Sequence, residues 1–163
     1  MTGSGPLAEV LLGFGGNLGD PEATIRRALV RLGERGVAIR RVSGFYRTPP
    51  WGPVPQPDFV NACAAGDTRL APRDLLALAK SLEGELGRVP GERWGPRAID
   101  IDILDYAGQE LDEPGLALPH PRLTERAFVL APLAEIAPDR IVAGRSIRDW
   151  AERIDRTGIV RLD

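Results

Sequence analysis

The chain has 163 residues, 43% hydrophobic and 27% charged, with a formal net charge of −2. That length suits one domain, residues 1–163, with a sizeable core, and the near balance of charge excludes a global basic field for holding nucleic acid non-specifically. Cys63 is the only cysteine, which excludes an internal disulfide and a cysteine metal cluster; it lies in an apolar run and reads as core. The opening residues lack the basic and long apolar regions of a secretory signal, and no run of about 18 apolar residues appears, so a cytoplasmic protein off the membrane is expected.

In chain order, residues 9–14 read as a buried strand closed by glycines. Asp20 is a good helix N-cap with Pro21 at the first helical position, and Ile25, Ala28, Leu29 and Leu32 give a helical stripe ended by Gly33 and Gly36. Residues 37–46 read as a strand. Residues 47–58 hold five prolines and form a long, stiff loop. Residues 59–68 return as a strand. Pro72 opens a second helix with Leu75, Leu78, Leu82 and Leu86 on one face, ended by Gly87. A second loop, 88–97, leads into the strand that contains IDIDIL. Residues 109–118 read as a turn and a short strand. A helix follows over 127–136, begun by a cap at Thr124, then another over 146–154 capped by Ser146, and an edge strand at 159–162. The order β-α-β-β-α-β over the first two thirds predicts an α+β, ferredoxin-like fold: an antiparallel sheet with helices packed on it, plus a C-terminal extension.

In the IDIDIL strand, Ile99, Ile101 and Ile103 share one face and Asp100 and Asp102 the other. The Cα atoms of the two aspartates are then about 6.5–7 Å apart, and two carboxylates that close repel one another at low dielectric. Either water bathes that face or a cation sits there. Oxygen-only ligands suit Mg²⁺, which keeps waters and takes one or two carboxylates plus substrate phosphates; a pair of such ions is a second possibility. The preceding loop supplies Arg88, Arg93 and Arg97 around Trp94. Singly, each arginine is an ordinary solvated charge. Together, leading straight into two carboxylates, they point to phosphoryl or pyrophosphoryl transfer from a nucleotide.

GFGGNLGD, residues 13–20, matches GxGxxG only at Gly13 and Gly15, with Leu18 where the last Gly or Ala belongs, and it reads first as a tight strand-to-helix connection. His120, between two prolines, is either a surface loop residue or a ligand contact. Trp51 and Trp94 lie in loops and suit stacking on a flat ligand.

FYRTPPWGP, DFVNA, LGR, ERWGPRAIDIDIL and LPHPRLTERAFVLAPLAEIAP, in this order over residues 10–138, resemble the 6-hydroxymethyl-7,8-dihydropterin pyrophosphokinase family of folate biosynthesis. RWGPRxxDxDI is the most specific of these segments. The resemblance implies transfer of pyrophosphate from ATP to the pterin hydroxymethyl group with release of AMP, no covalent intermediate, and a ferredoxin-like fold. It implies two Mg²⁺ ions bound by Asp100 and Asp102, and catalytic roles for Arg88 and Arg97 on the phosphates. Glu83, Arg88, Arg97, Ile103 (through its backbone), His120 and Arg126 would form the ATP site. Thr48, Pro49, Trp51, Phe59, Asn61, Trp94 and Phe128 would form the pterin site, Trp94 and Phe128 sandwiching the ring. A monomer is expected. The chain departs from the family's habits at Gly16, Trp51, Phe59, Gly115, Ala117 and Pro121, and its 88–97 loop lacks a further basic residue. Two rivals share these features: a two-metal phosphohydrolase using the same Asp pair, and a non-catalytic ferredoxin-like binding module.

Overall fold

The computed structural model describes residues 5–50, 52–87 and 98–162. Strand β1 (Ala8–Gly16) is followed by helix α1 (Pro21–Glu34), strands β2 (Val37–Val42), β3 (Phe45–Thr48) and β4 (Phe59–Thr68), helix α2 (Pro72–Glu85) and strand β5 (Asp100–Tyr106). A hairpin of β6 (Leu111–Glu113) and β7 (Leu116–Leu118), helix α3 (Ala127–Ile136), a small β8 (Ile141–Val142) and β9 (Arg145–Ser146) pair, helix α4 (Ile147–Arg153) and strand β10 (Val160–Leu162) complete it.

The main sheet runs β10-β3-β4-β1-β5, all antiparallel, with β2 on β4. β2 and β3 share one edge of β4 as halves of a single strand: Val42 pairs with Ala64 and Tyr46 with Asn61, so the register slips by one residue at Ser43–Gly44. The Ser43 hydroxyl accepts from the Cys63 N–H at 2.9 Å and its amide donates to the Cys63 carbonyl at 2.9 Å, which satisfies the backbone across the bulge. Counting these halves as one strand gives the ferredoxin-like arrangement.

Alternation along β1 divides the molecule into layers. Val10, Leu12 and Phe14 face Ile25 and Leu32 of α1 and Leu75 and Leu82 of α2, joined by Ile101 and Ile103 of β5. Leu11 faces the opposite way. With Cys63, Ala65 and Leu104 it forms a second core under Leu130 and Leu133 of α3 and Ile147 and Ala151 of α4. The C-terminal helices therefore cover part of the face that α1 and α2 leave open. A bulge in β5 sets Leu11 opposite Asp105 but Leu12 opposite Ile103, so Leu104 keeps the face of Asp100 and Asp102 and enters the second core, while Tyr106 beyond the bulge turns into the first.

Local signals explain most boundaries. The Asp20 side chain accepts from the Ala23 N–H at 3.1 Å, and Ser146 accepts from the Asp149 N–H at 3.0 Å, as their cap roles require. Three expectations change. β1 runs on through its glycines to Gly16 rather than stopping before them. Residues 109–118 hold two strands, joined through Pro114–Gly115, where Gly115 takes φ 75°. Thr124 does not cap α3: it lies inside a 3₁₀ turn, Leu123–Glu125, and Arg126 stands at the helix start with no side-chain cap bond. Among the described residues, no helix is long and apolar enough to cross a membrane.

Candidate functional site

The sheet face opposite α1 and α2 is covered by α3 only in part, and beside that helix opens a cleft of about 700 Å³. Its floor follows from the register. Gly13 lies between Asp102 of β5 and Cys63 of β4; Gly15 lies between Asp100 and Asn61. Odd-numbered residues of β1 point to this face, and two of them have no side chain. A Cβ on Gly15 would sit 2.6 Å from Asn61 Oδ1, too close for the present arrangement, and one on Gly13 would touch Leu104 at 3.4 Å. The glycine-rich stretch is thus neither a phosphate loop nor, for the most part, a connection. Most of it is strand without side chains on this face, an open strip of sheet between the acids of β5 and the amide of β4.

At one end of the cleft are the carboxylates. Asp100 and Asp102 both line it, half-buried, on the same face of β5. Glu83 of α2 stands beside them, 3% exposed, and its Oε2 accepts from the Ile101 N–H at 2.8 Å. That bond ties α2 to the residue between the two aspartates. Asp100 and Asp102 fit a hard, oxygen-preferring cation such as Mg²⁺: two carboxylates, open to the cleft, with room for waters and phosphate oxygens. Among the described residues no group of three or more His, Cys, Asp or Glu forms a complete protein cage, so the remaining coordination positions would fall to water and substrate.

At the other end, Thr48 of β3 and Asn61 of β4 are 3% and 7% exposed, and Asn61 Nδ2 donates to Thr48 Oγ1 at 2.8 Å. With one amide hydrogen committed to Thr48, Asn61 keeps Oδ1, poised above Gly15, as an acceptor. Phe59 and Pro49 flank them, and Phe128 at the start of α3 forms the facing wall. A flat ligand with a polar edge would find an apolar wall and a fixed amide there.

His120 and Arg126 line the same cleft. The His120 amide donates to the Leu104 carbonyl at 2.8 Å, and its Nδ1 accepts from the Arg122 N–H at 3.2 Å. A neutral imidazole held this way keeps its proton on Nε2 as a hydrogen-bond donor. Burial pushes the His120 pKa down, Asp102 opposes this, and Arg126 and Arg122 reinforce it. Burial likewise lowers the pKa of Arg126, whose guanidinium carbon lies 5.5 Å from the Phe128 ring centroid. Burial raises the pKa of the Cys63 thiol, leaving it inert in the floor.

Of the residues expected from sequence, Thr48, Pro49, Phe59, Asn61, Glu83, Asp100, Asp102, His120, Arg126 and Phe128 all line this cleft. The Ile103 side chain packs in the core beneath β5 and does not line the cleft. Arg88, Trp94, Arg97 and Trp51 lie outside the described residues. Sequence reasoning missed Gly13 and Gly15 as floor, and Lys80 and Arg122 as lining. The two-residue spacing of the glycines and the helical i, i+3 spacing of Lys80 to Glu83 were the available signals.

Residues 11–138 match the model of a family described as 7,8-dihydro-6-hydroxymethylpterin-pyrophosphokinase (HPPK). The chain is 45% identical over 158 residues to a 2-amino-4-hydroxy-6-hydroxymethyldihydropteridine pyrophosphokinase of Methylorubrum extorquens, covering 96% of this chain and 100% of that protein. It is 44% identical over 160 residues to a protein of the same description from Pseudomonas aeruginosa, covering 96% of this chain and 98% of that one. Its fold is similar to that of a Plasmodium falciparum HPPK-DHPS structure, with a TM-score of 0.72 at 15% identity. That match covers 92% of this chain and 46% of the other, so this chain spans about half the length of that solved relative.

Proposed function

We infer how the cleft works from one premise: the chain belongs to the 7,8-dihydro-6-hydroxymethylpterin-pyrophosphokinase family. The activity is that of a transferase of folate biosynthesis, moving pyrophosphate from ATP to the hydroxymethyl group of 6-hydroxymethyl-7,8-dihydropterin. In this reaction the hydroxymethyl oxygen attacks the β-phosphorus, the bond from that phosphorus to the oxygen shared with the α-phosphate breaks, and AMP leaves while the hydroxyl proton is lost. No covalent enzyme intermediate is needed, so positioning and electrostatics carry the rate.

The observation that carries our assignment of roles is the floor geometry. Asp102–Gly13 and Asp100–Gly15–Asn61 form cross-strand rows, so a ligand lying on bare strand reaches the acids with one end and the fixed amide with the other. In our proposal Asp100 and Asp102 hold Mg²⁺. Two such ions would neutralise charge on the triphosphate and lower the pKa of the attacking hydroxyl. His120 Nε2 and Arg126 donate to phosphate or ribose oxygens at the nucleotide end, and Arg88 and Arg97 supply guanidinium forks to the transferring phosphates. Glu83, fixed to the Ile101 amide, and the Ile103 main chain line the nucleoside end. Asn61 and the Thr48 main chain read the polar edge of the pterin, with Pro49, Trp51 and Phe59 around it and Phe128 and Trp94 on its two faces. We assign no side-chain base. The working unit is proposed to be a cytoplasmic monomer in which residues 1–163 act as one domain.

The test is a direct assay of the purified chain with ATP and Mg²⁺. AMP should form only when the pterin alcohol is present, in equal amount to pyrophosphorylated pterin. Phosphate release without the pterin would favour the phosphohydrolase instead, and binding of single-stranded RNA without turnover would favour the binding module.

A further inference from the structure

The chain contains one lysine against twenty arginines, and that lysine, Lys80, lines the cleft. It lies on α2 one turn before Glu83, on the same helical face. Its ammonium is 3.6 Å from Glu83 Oε1, beyond ordinary hydrogen-bond length, and the side chain is 58% exposed. An exposed pair at that distance contributes little. Glu83 meanwhile is anchored by the Ile101 amide between Asp100 and Asp102. Lys80 thus stands at the rim of the acid end of the cleft with its charge only loosely engaged.

Contrast Arg35, at the C-terminal end of α1, and Arg73, in the first turn of α2. Arg35 grips Glu85 through two bonds of 2.6 and 2.7 Å, and Arg73 holds Glu113 and the Pro114 carbonyl at 3.1 and 2.9 Å. Those forks brace one element against another. A lysine is a compact point charge on a flexible stem with three rotatable donors, poorly suited to bracing and well suited to following an oxyanion whose geometry changes during reaction. Of the described α2 residues lining the cleft, Lys80 and Glu83, Lys80 carries the positive charge, while the other described basic lining residues, His120, Arg122 and Arg126, come from the 120–126 segment.

We propose that Lys80 is a nucleotide-binding residue, its ammonium contacting the phosphate chain of ATP from the α2 rim of the cleft. This rests on the pyrophosphokinase reading of the same site. The contact forms only when nucleotide is bound, and it replaces the loose approach to Glu83.

A single lysine makes the test clean. The protein is labelled with [ε-¹³C]lysine, which gives one Cε resonance without any assignment, and is titrated with Mg²⁺ and α,β-methylene-ATP. The resonance should move with the analogue and stay in place with adenosine. Lys80→Gln should weaken binding of the analogue by about five- to tenfold, the scale of one charge-assisted contact at a partly exposed site. It should leave the affinities for adenosine and for the pterin alcohol unchanged, and Lys80→Arg should recover part of the loss. A merely structural role through Glu83 would move adenosine binding or thermal stability instead. A stationary Cε signal together with an unaltered analogue affinity in Lys80→Gln would overturn the proposal. Failure of the wild-type chain to make AMP from ATP and the pterin alcohol would instead sink the reading of the whole site.

Discussion

Asp100 and Asp102 are half-exposed, belong to neither hydrophobic core, and stand beside glycines that cannot pack against them. Their carboxylates can be altered with little cost to the fold. Asp100→Asn or Asp102→Asn should lower pyrophosphate transfer by at least about 10²-fold, the scale of losing one electrostatic group at a reacting centre, while the thermal midpoint stays within a few degrees. Steady-state assays paired with thermal unfolding check this, and wild-type rates in either variant would refute it. Gly15 makes the opposite kind of contribution, by absence. With a Cβ placed 2.6 Å from Asn61 Oδ1, Gly15→Ala must displace the amide from its bond to Thr48. We expect pterin affinity to fall about tenfold, as for one lost hydrogen bond, with nucleotide affinity unaltered, both measured by calorimetry.

Between elements, α1 and α2 are joined at their C-terminal ends by Glu85. It accepts from both terminal nitrogens of Arg35, from one nitrogen of Arg31 at 3.2 Å and from the Ser81 hydroxyl at 3.2 Å. The Arg35 contact, with help from Ser81 and Arg31, holds the Glu85 carboxyl down at about 2, against an ordinary value of 4.5. A carboxyl whose folded pKa is depressed stabilises the fold above its unfolded pKa and loses that contribution as pH falls through the folded value. Stability should therefore decline between about pH 4.5 and 2 in part through this group, and Glu85→Gln should flatten the decline in that window. Urea midpoints at stepped pH measure it; identical slopes for variant and wild type would remove Glu85 from the account. Since α2 carries Lys80 and Glu83, this joint also helps hold that rim of the cleft.

For the molecule as a whole, the two cores meet at the sheet, and a charged joint closes the far end. Arg140, just beyond α3, bonds Asp105 of β5 at 2.6 Å and also Glu9 of β1. Asp105 is 3% exposed and also accepts from the Gly108 amide at 3.2 Å. Its removal leaves a guanidinium and an amide without their buried partner, so Asp105→Ala should cost about 2–3 kcal/mol in urea unfolding. Because this joint lies outside the cleft, folded variant protein should retain its nucleotide and pterin affinities. A stability change under about 0.5 kcal/mol would show that Arg140 and Glu9 suffice by themselves.

The sequence by itself determined the element order, the cap residues Asp20 and Ser146, the two-faced character of β5 and, through its motifs, the family. These are local properties: alternation, helical spacing and turn chemistry act between residues close in the chain, and motif residues can be read in line. Only tertiary structure decided that residues 37–48 break at Ser43–Gly44, because that slip comes from pairing with β4. It alone set α3 on the open sheet face beside the cleft, and it turned Gly13 and Gly15 from a loop signature into floor. Glycine carries no side chain to declare a direction. What it leaves room for depends on Asn61, Asp100 and Asp102, which reach it across hydrogen bonds between strands distant in sequence.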